Sequence, residues 1–291
     1  MKLERRCALI TGGSQGLGKS IARSFLREGA SVMICARDAK ALEATARELS
    51  VGLQKGQQIF FKSADISDEK EARALIVATL EKFPRLDVLV NNAGIYGPKG
   101  NLETTDWAEW VNAIRINLFG AVFLCRELLP HFKVLGRGKI INLSGGGATA
   151  PFPRFSAYAT SKAAIVRFTE TLAEEIREQH IDVNAIAPGP LNTRFTDEVL
   201  EAGPDRVGRE FYEKARIQKT QGGAPMEKAS ELCVFLASAA SDGITGKLLS
   251  ALWDPWADLD GHKDELRRTD IYTLRRIVPE DRGKKWEGSG R

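Results

Sequence analysis

Seven short apolar runs recur along the chain: CALIT (7–11), SVMICA (31–36), QIFFK (58–62), LDVLV (86–90), KIINLS (139–144), IDVNAIA (181–187) and KLLSAL (247–252). Each is predicted to be a strand, and their nearly continuous hydrophobicity marks strands buried on both faces. Between them apolar residues recur at three- and four-residue spacings, as in Leu17, Ile21, Ala22, Phe25 and Leu26, and again in Ile165, Phe168, Thr169, Leu172 and Ile176. Such spacing lays one side of a helix against a core. Strands alternating with helices imply parallel neighbours joined by right-handed crossovers. The expected fold is therefore α/β, a single doubly wound, Rossmann-like domain over residues 1–252. Its seven-stranded parallel sheet would carry helices on both faces, with the ligand beyond the carboxyl ends of the strands.

Two stretches break this rhythm. Residues 190–225 are polar and contain glycine, and are expected to form a mobile lid over a substrate. Residues 253–291 form a C-terminal extension in which DIYTLRRIVP (270–279) has enough apolar side chains to dock, while the last half-dozen residues read as disordered. There is no internal repeat.

Composition narrows the function classes. With 291 residues, 43% of them hydrophobic and 27% charged, the chain can bury a sizeable core. The net charge of +4 is scattered rather than massed, which disfavours nucleic acid as a partner. No apolar run is long enough to span a membrane, and the N-terminus lacks a signal-peptide pattern. Cys7, Cys35, Cys125 and Cys233 have no paired spacing, so neither a disulfide framework nor a metal site is expected, and a reducing cytoplasmic location follows. His131, His180 and His262 are isolated, which points away from catalysis by histidine.

The chemistry lies in the turns that follow the strands. In TGGSQGLG (11–18), Gly12, Gly16 and Gly18 follow the first strand and open the first helix, letting the backbone approach a pyrophosphate at the helix N-terminus. Ser14 can add a hydroxyl contact to phosphate. After the second strand, where enzymes that prefer NAD commonly carry an acidic residue, the chain has Ala36 and then Arg37. An arginine there suits a 2′-phosphate, so NADP is expected ahead of NAD, with Asp38 one residue on as the opposing signal. Asp65, after the third strand, can accept from the adenine amino group. Asn92, Ala93 and Gly94, after the fourth, can admit the adenosine ribose.

Tyr158 and Lys162, in YATSK, stand four apart on a predicted helix (157–178) and so share a face. A nearby ammonium stabilises phenolate, which would bring a phenol of pKa about 10 toward use as a general acid or base. Lys162 can also hold the nicotinamide ribose.

With TGGSQGLG, NNAG (91–94), YATSK and PGPLNT (188–193) in this order, the chain resembles the short-chain dehydrogenase/reductase family from about residue 5 to 250. The resemblance implies hydride transfer between a nicotinamide and a ketone or secondary alcohol. It implies an Asn, Ser, Tyr and Lys tetrad, matched here by Asn117, Tyr158 and Lys162. It also places Leu17, Ile66, Pro188, Gly189 and Thr193 at the cofactor. The family serine, 13 residues before the tyrosine, falls on Gly145, so Ser144 is expected to take the role, ahead of Asn142, Thr149 and Ser156. Phe195, Phe211, Tyr212, Arg194, Arg206 and Arg209 from the lid, with Phe152, Arg154 and Phe155, suit a polar or anionic substrate with an apolar part. A sugar or cyclitol derivative and a 3-oxoacyl thioester fit comparably. The family pairs through helices placed here at 105–134 and 157–178, so a homodimer or homotetramer is expected. The contrasting reading is a dinucleotide-binding regulatory or scaffold protein that has lost catalysis, motivated by Gly145.

Overall fold

The computed structural model describes residues 1–285. The disorder expected of the last half-dozen residues lies outside that range. Seven strands form one parallel sheet: β1 (Cys7–Thr11), β2 (Ser31–Ala36), β3 (Ile59–Ser63), β4 (Val88–Asn91), β5 (Gly138–Leu143), β6 (Ile181–Ala187) and β7 (Leu248–Ser250). Their order is β3-β2-β1-β4-β5-β6-β7, so the chain reverses direction across the sheet between β1 and β4. At that switch point the carboxyl ends of neighbouring strands diverge and leave a crevice.

The inner strands β1, β2, β4, β5 and β6 form because both of their faces are covered, whereas the edge strand β3 leaves Phe61 exposed. Alternate residues divide between two cores: Ile10, Ile34 and Val90 face α1 (Gly16–Arg27), α2 (Ala39–Ser50) and α9 (Met226–Ala237). Leu9, Met33, Leu89 and Ile140 face α3 (Glu69–Lys82), α5 (Gly120–Leu135) and α6 (Ser156–Glu175). Helix starts are set by acidic caps, Asp38 accepting from the Ala41 amide, Asp68 from Lys70 and Glu71, and Asp106 from Glu109.

Three regions depart from the simple pattern. The helix expected over 105–134 is α4 (Trp107–Ile114) running through a π-helical turn (Arg115–Phe119) into α5. The stretch at 190–225 is mostly helical: α7 (Arg194–Val207), broken at Gly203 (φ 78°) before Pro204, and α8 (Arg209–Gln221). Its polar sequence matches a shallow burial, since only Thr196, Val199, Val207 and Ala215 of these helices are fully buried. Residues beyond β7 fold back on the body of the protein. Leu259 and Leu266, the latter on α10 (Lys263–Arg268), enter the core beside α9, and Trp256 packs on Phe235 with ring centroids 5.9 Å apart.

Candidate active site

The crevice at the switch point is lined first by backbone. Thr11, the last residue of β1, uses its hydroxyl to accept from the amides of Asn92 and Ala93, both at 3.0 Å, while Asn92 Nδ2 donates to Thr11 O at 2.9 Å. The glycine turn is thus tied to the end of β4. A side chain at Gly18 would stand 2.2 Å from Gly12 O, and one at Gly12 would meet Asn92 and Ala93, so the turn closes only with glycine. Ser14 is held through its carbonyl, which accepts from Thr45 Oγ1 at 2.7 Å. Gly16 lies against Thr193, which also caps α7 by accepting from the Phe195 amide. Leu17 packs against the core below, and Ile66 is buried. The start of α7 and the glycine turn therefore meet at one place, with Pro188 and Gly189 (φ 89°) leading into it.

At the far side of this cradle Arg37 is exposed, with Nη1 4.0 Å from Asp65 Oδ2. Asp38 caps α2 by accepting from the Ala41 amide, and stands exposed beside Arg37. One oxygen of Asp65 accepts from the amide and hydroxyl of Ser67, and the other is turned toward Arg37.

Asn117 sits in the π-helical turn. Its Oδ1 accepts from the Ile95 amide at 2.8 Å, and its Nδ2 donates to Ile95 O and to Ser161 Oγ. Such turns are a recurrent feature of functional sites because the extra residue re-aims local groups. Asn117 thereby fastens the segment after β4 to the helix that carries Tyr158 and Lys162. A Cβ on Gly94 would lie 3.2 Å from Asn117 Oδ1 and 3.5 Å from Lys162 Nζ, so these three positions enclose one small space.

Lys162 is buried, and its ammonium donates to Leu143 O at 2.7 Å. Burial pulls its pKa down to about 8. Tyr158 is buried beside it, with Lys162 Nζ 5.6 Å from the phenol ring centroid. Burial, and then the neighbouring Tyr96, push the phenol well above its ordinary value. This is opposite to the direction expected from the sequence: burial disfavours the charged form of both groups, and the Lys162 ammonium is turned toward Leu143 O. Burial thus favours the protonated phenol of Tyr158.

Position 145 explains the missing hydroxyl. A Cβ built on Gly145 would stand 2.4 Å from Tyr158 Oη, so the phenol fills the space that a serine there would need. Ser144 is buried in the β5–α6 junction, where its hydroxyl donates to Lys162 O at 3.3 Å. Asn142 Nδ2 donates to Thr169 Oγ1 in the core, Ser156 Oγ accepts from Trp110 Nε1, and Thr149 is exposed.

Around Tyr158 stands an aromatic box. Tyr96 lies edge-on at 4.8 Å between centroids, Phe195 at 6.2 Å and Phe152 at 6.3 Å, with Phe155 stacked on Phe152 and Phe211 edge-on to both behind them. Phe195 comes from α7 and packs on the Tyr158 ring, while Phe211 comes from α8 and meets Phe152 and Phe155. Tyr212 joins the same cluster. Lys99, over the Tyr96 ring at 5.6 Å, pairs with Glu198 of α7 at 3.2 Å, and Arg194 pairs with the same carboxylate at 3.1 Å. Arg154 donates to Asp205 O and fastens the Pro/Phe-rich loop to α7, whereas Arg206 and Arg209 are exposed. Tyr96 and Lys99 escaped the sequence reading, although Tyr96 follows NNAG by two residues, which was the available signal.

The residues fit a nicotinamide dinucleotide: a cradle that tolerates no Cβ at one end, and a buried lysine beside a buried phenol at the other. Comparison with known proteins agrees. Residues 6–203 match the family model described as short chain dehydrogenase. The chain is similar to 2-(R)-hydroxypropyl-CoM dehydrogenase of Xanthobacter autotrophicus, 34% identical over 246 residues, covering 84% of this chain and 96% of that one. Among solved structures it resembles an actinorhodin polyketide ketoreductase with NADPH, with a TM-score of 0.76 and 27% identity, covering 84% and 95% of the two chains. It also resembles 3-ketoacyl-(acyl-carrier-protein) reductase from Brucella melitensis complexed with NADH, with a TM-score of 0.74 and 32% identity, covering 85% and 97%. The chain belongs to the short-chain dehydrogenase/reductase family, whose members use NAD(P), and is an oxidoreductase acting on CH–OH groups.

Proposed function

We propose that this protein is an NADP(H)-dependent oxidoreductase that interconverts a ketone and a secondary alcohol, with Tyr158 as the proton donor and acceptor. The observation that carries this reading is Tyr158 buried beside Lys162, with the ammonium 5.6 Å from the phenol ring centroid, in the crevice at the end of β5. The nicotinamide dinucleotide supplies the hydride. Gly12, Ser14, Gly16, Leu17 and Gly18 would hold its pyrophosphate, and Arg37 the 2′-phosphate. Asp65 and Ile66 would take the adenine, Asn92, Ala93 and Gly94 the adenosine ribose, and Pro188, Gly189 and Thr193 the nicotinamide end. Lys162 would hold the nicotinamide ribose with its ammonium, and Asn117 would keep the Ile95 segment in place beside it.

Tyr158 then polarises the carbonyl and delivers its proton to the oxygen. Ser144 supports this from the backbone side by bonding to the α6 turn that carries Lys162. The aromatic box favours an apolar group next to the carbonyl, which suits a 3-oxoacyl thioester better than a polyhydroxylated sugar or cyclitol. Self-association as a dimer or tetramer is supported by the exposed Trp107 and Phe119 on the α4–α5 face. Titration with NADPH and NADH, followed by NADPH oxidation against ketones, keto-sugars and acyl thioesters, tests the reading. Tight NADPH binding with turnover of a thioester is the expected result; NADH preference or turnover of sugars alone would overturn the cofactor and substrate assignments.

A further inference from the structure

The tail segment 269–274 is fastened at three places to the body of the protein. Lys247, itself buried at the start of β7, donates from its ammonium to Thr269 O at 3.0 Å and to Ile271 O at 2.9 Å. The Leu248 amide donates to Tyr272 O at 2.8 Å, so the tail supplies an acceptor to the outer edge of β7. On α6, Arg167 and Glu170 clamp both backbone groups of one residue: Glu170 Oε1 accepts from the Leu274 amide at 2.6 Å, and Arg167 Nη2 donates to Leu274 O. The clamp is locked by the ion pair between Arg167 Nη1 and Glu170 Oε2 at 2.6 Å, with Glu170 buried.

The clamp aims the Leu274 side chain into a small apolar cluster of Ala148, Val166 and Ala185, beside Leu248. Two of these partners lead to the reacting groups. Val166 lies one helical turn beyond Lys162 on α6, on the same stripe as Glu170. Ala148 belongs to the loop between β5 and α6, where its amide donates to Gly145 O at 3.3 Å. Gly145 is the residue whose missing Cβ leaves room for Tyr158 Oη. This loop runs through three consecutive glycines, 145–147, and Gly147 has φ +88°, so no side chain of its own holds those residues in place. Ala148 is the first residue after them that can be gripped.

We infer that Leu274 is a positioning residue for the reaction proposed above: held by Arg167 and Glu170, it braces the 145–148 turn against α6 and so fixes the wall of the site at Tyr158 Oη. The inference rests on that reading of Tyr158. It assigns the tail a role in the site without any contact with substrate or cofactor.

The test uses the full chain with Leu274→Ala and Leu274→Met. Hydrogen exchange of the peptide spanning 143–155 reads the loop directly, with the β5 and β6 strand amides as the control for global folding. Leu274→Ala is expected to speed exchange in 145–148 at least about tenfold while the strands stay protected, and Leu274→Met to restore protection, since methionine fills the same volume. With a ketone substrate, kcat should fall about 10- to 100-fold, as for a sub-ångström misplacement of reacting groups. Kd for NADPH should stay unchanged. Loop exchange equal to that of the parent protein in Leu274→Ala overturns the inference, as does a loss of protection spread evenly through β5 and β6 in both variants. If the parent protein binds NADPH but reduces no ketone, the proposed function fails, and the exchange result still decides whether Leu274 braces the loop.

Discussion

Placing at position 145 the serine that the family resemblance implies should harm this enzyme. A Cβ at position 145 would lie 2.4 Å from Tyr158 Oη, against a floor of 3.0 Å for real Cβ contacts, so in Gly145→Ser the phenol oxygen must recede by at least 0.6 Å. It has little room to do so, because Tyr96, Phe152 and Phe195 surround the ring. Overpacking of this kind costs about 1–3 kcal/mol of stability. A shift approaching 1 Å in a reacting group lowers rate by up to about 100-fold. Against this, a well-placed oxyanion donor contributes about 10²–10³ in rate, but only when donors sit about 2.7–3.1 Å from the developing alkoxide. With Tyr158 displaced, neither hydroxyl meets that condition, so the steric term decides. The expected result, from NADPH oxidation with a ketone substrate and from thermal melts, is a fall in kcat of about 10- to 100-fold for Gly145→Ser. Gly145→Ala should fall about as far, and both variants should melt below the parent. A Gly145→Ser enzyme faster than its parent would refute the reasoning.

Arg37→Ala should weaken NADPH binding about tenfold, equivalent to roughly 1.4 kcal/mol for a charged hydrogen bond at an exposed site, and leave NADH nearly unchanged in parallel titrations. Equal losses for both cofactors would remove Arg37 from the 2′-phosphate. Gly18→Ala would place a methyl 2.2 Å from Gly12 O, a backbone atom that cannot yield cheaply, so the variant should lose dinucleotide binding by calorimetry. Retained affinity would exclude the turn as the cradle. Lys162, with its pKa lowered from 10.5 to about 8, is charged in the unfolded chain but neutral in the folded one between those values, so its contribution to stability rises with pH across that window. Denaturant melts of Lys162→Met compared with the parent should show that rise missing; an unchanged pH dependence would mean that the lysine is not desolvated.

The sheet was legible because a parallel strand buried on both faces carries apolar residues in an unbroken run, and all seven runs fall on strands, three of them coinciding end to end and four displaced by a residue or two at their ends. The glycine turn and the Tyr158–Lys162 spacing were legible for a similar reason: close backbone approach and a shared helix face are local properties. What stayed hidden depends on contacts between distant segments. Helices α7 and α8 bury few residues fully and gain their fixed place through Phe195 and Phe211 meeting Phe152, Phe155 and Tyr96. The pairing of Lys99 with Glu198 joins the segment after β4 to α7, which no spacing announces. Ser144 was placed by counting back from Tyr158, and counting does not say which way a hydroxyl turns; here it bonds to the Lys162 carbonyl. The direction of the Tyr158 shift was missed because the sequence shows the neighbouring lysine but not the depth of burial.

The most direct test of the central claim is NADPH binding and ketone reduction measured together in Tyr158→Phe. If Tyr158 is the proton donor, the variant should bind NADPH as tightly as the parent and lose turnover about 10²- to 10⁴-fold, the usual contribution of a general acid. Turnover at the parent rate in Tyr158→Phe, with NADPH bound, would contradict the assignment.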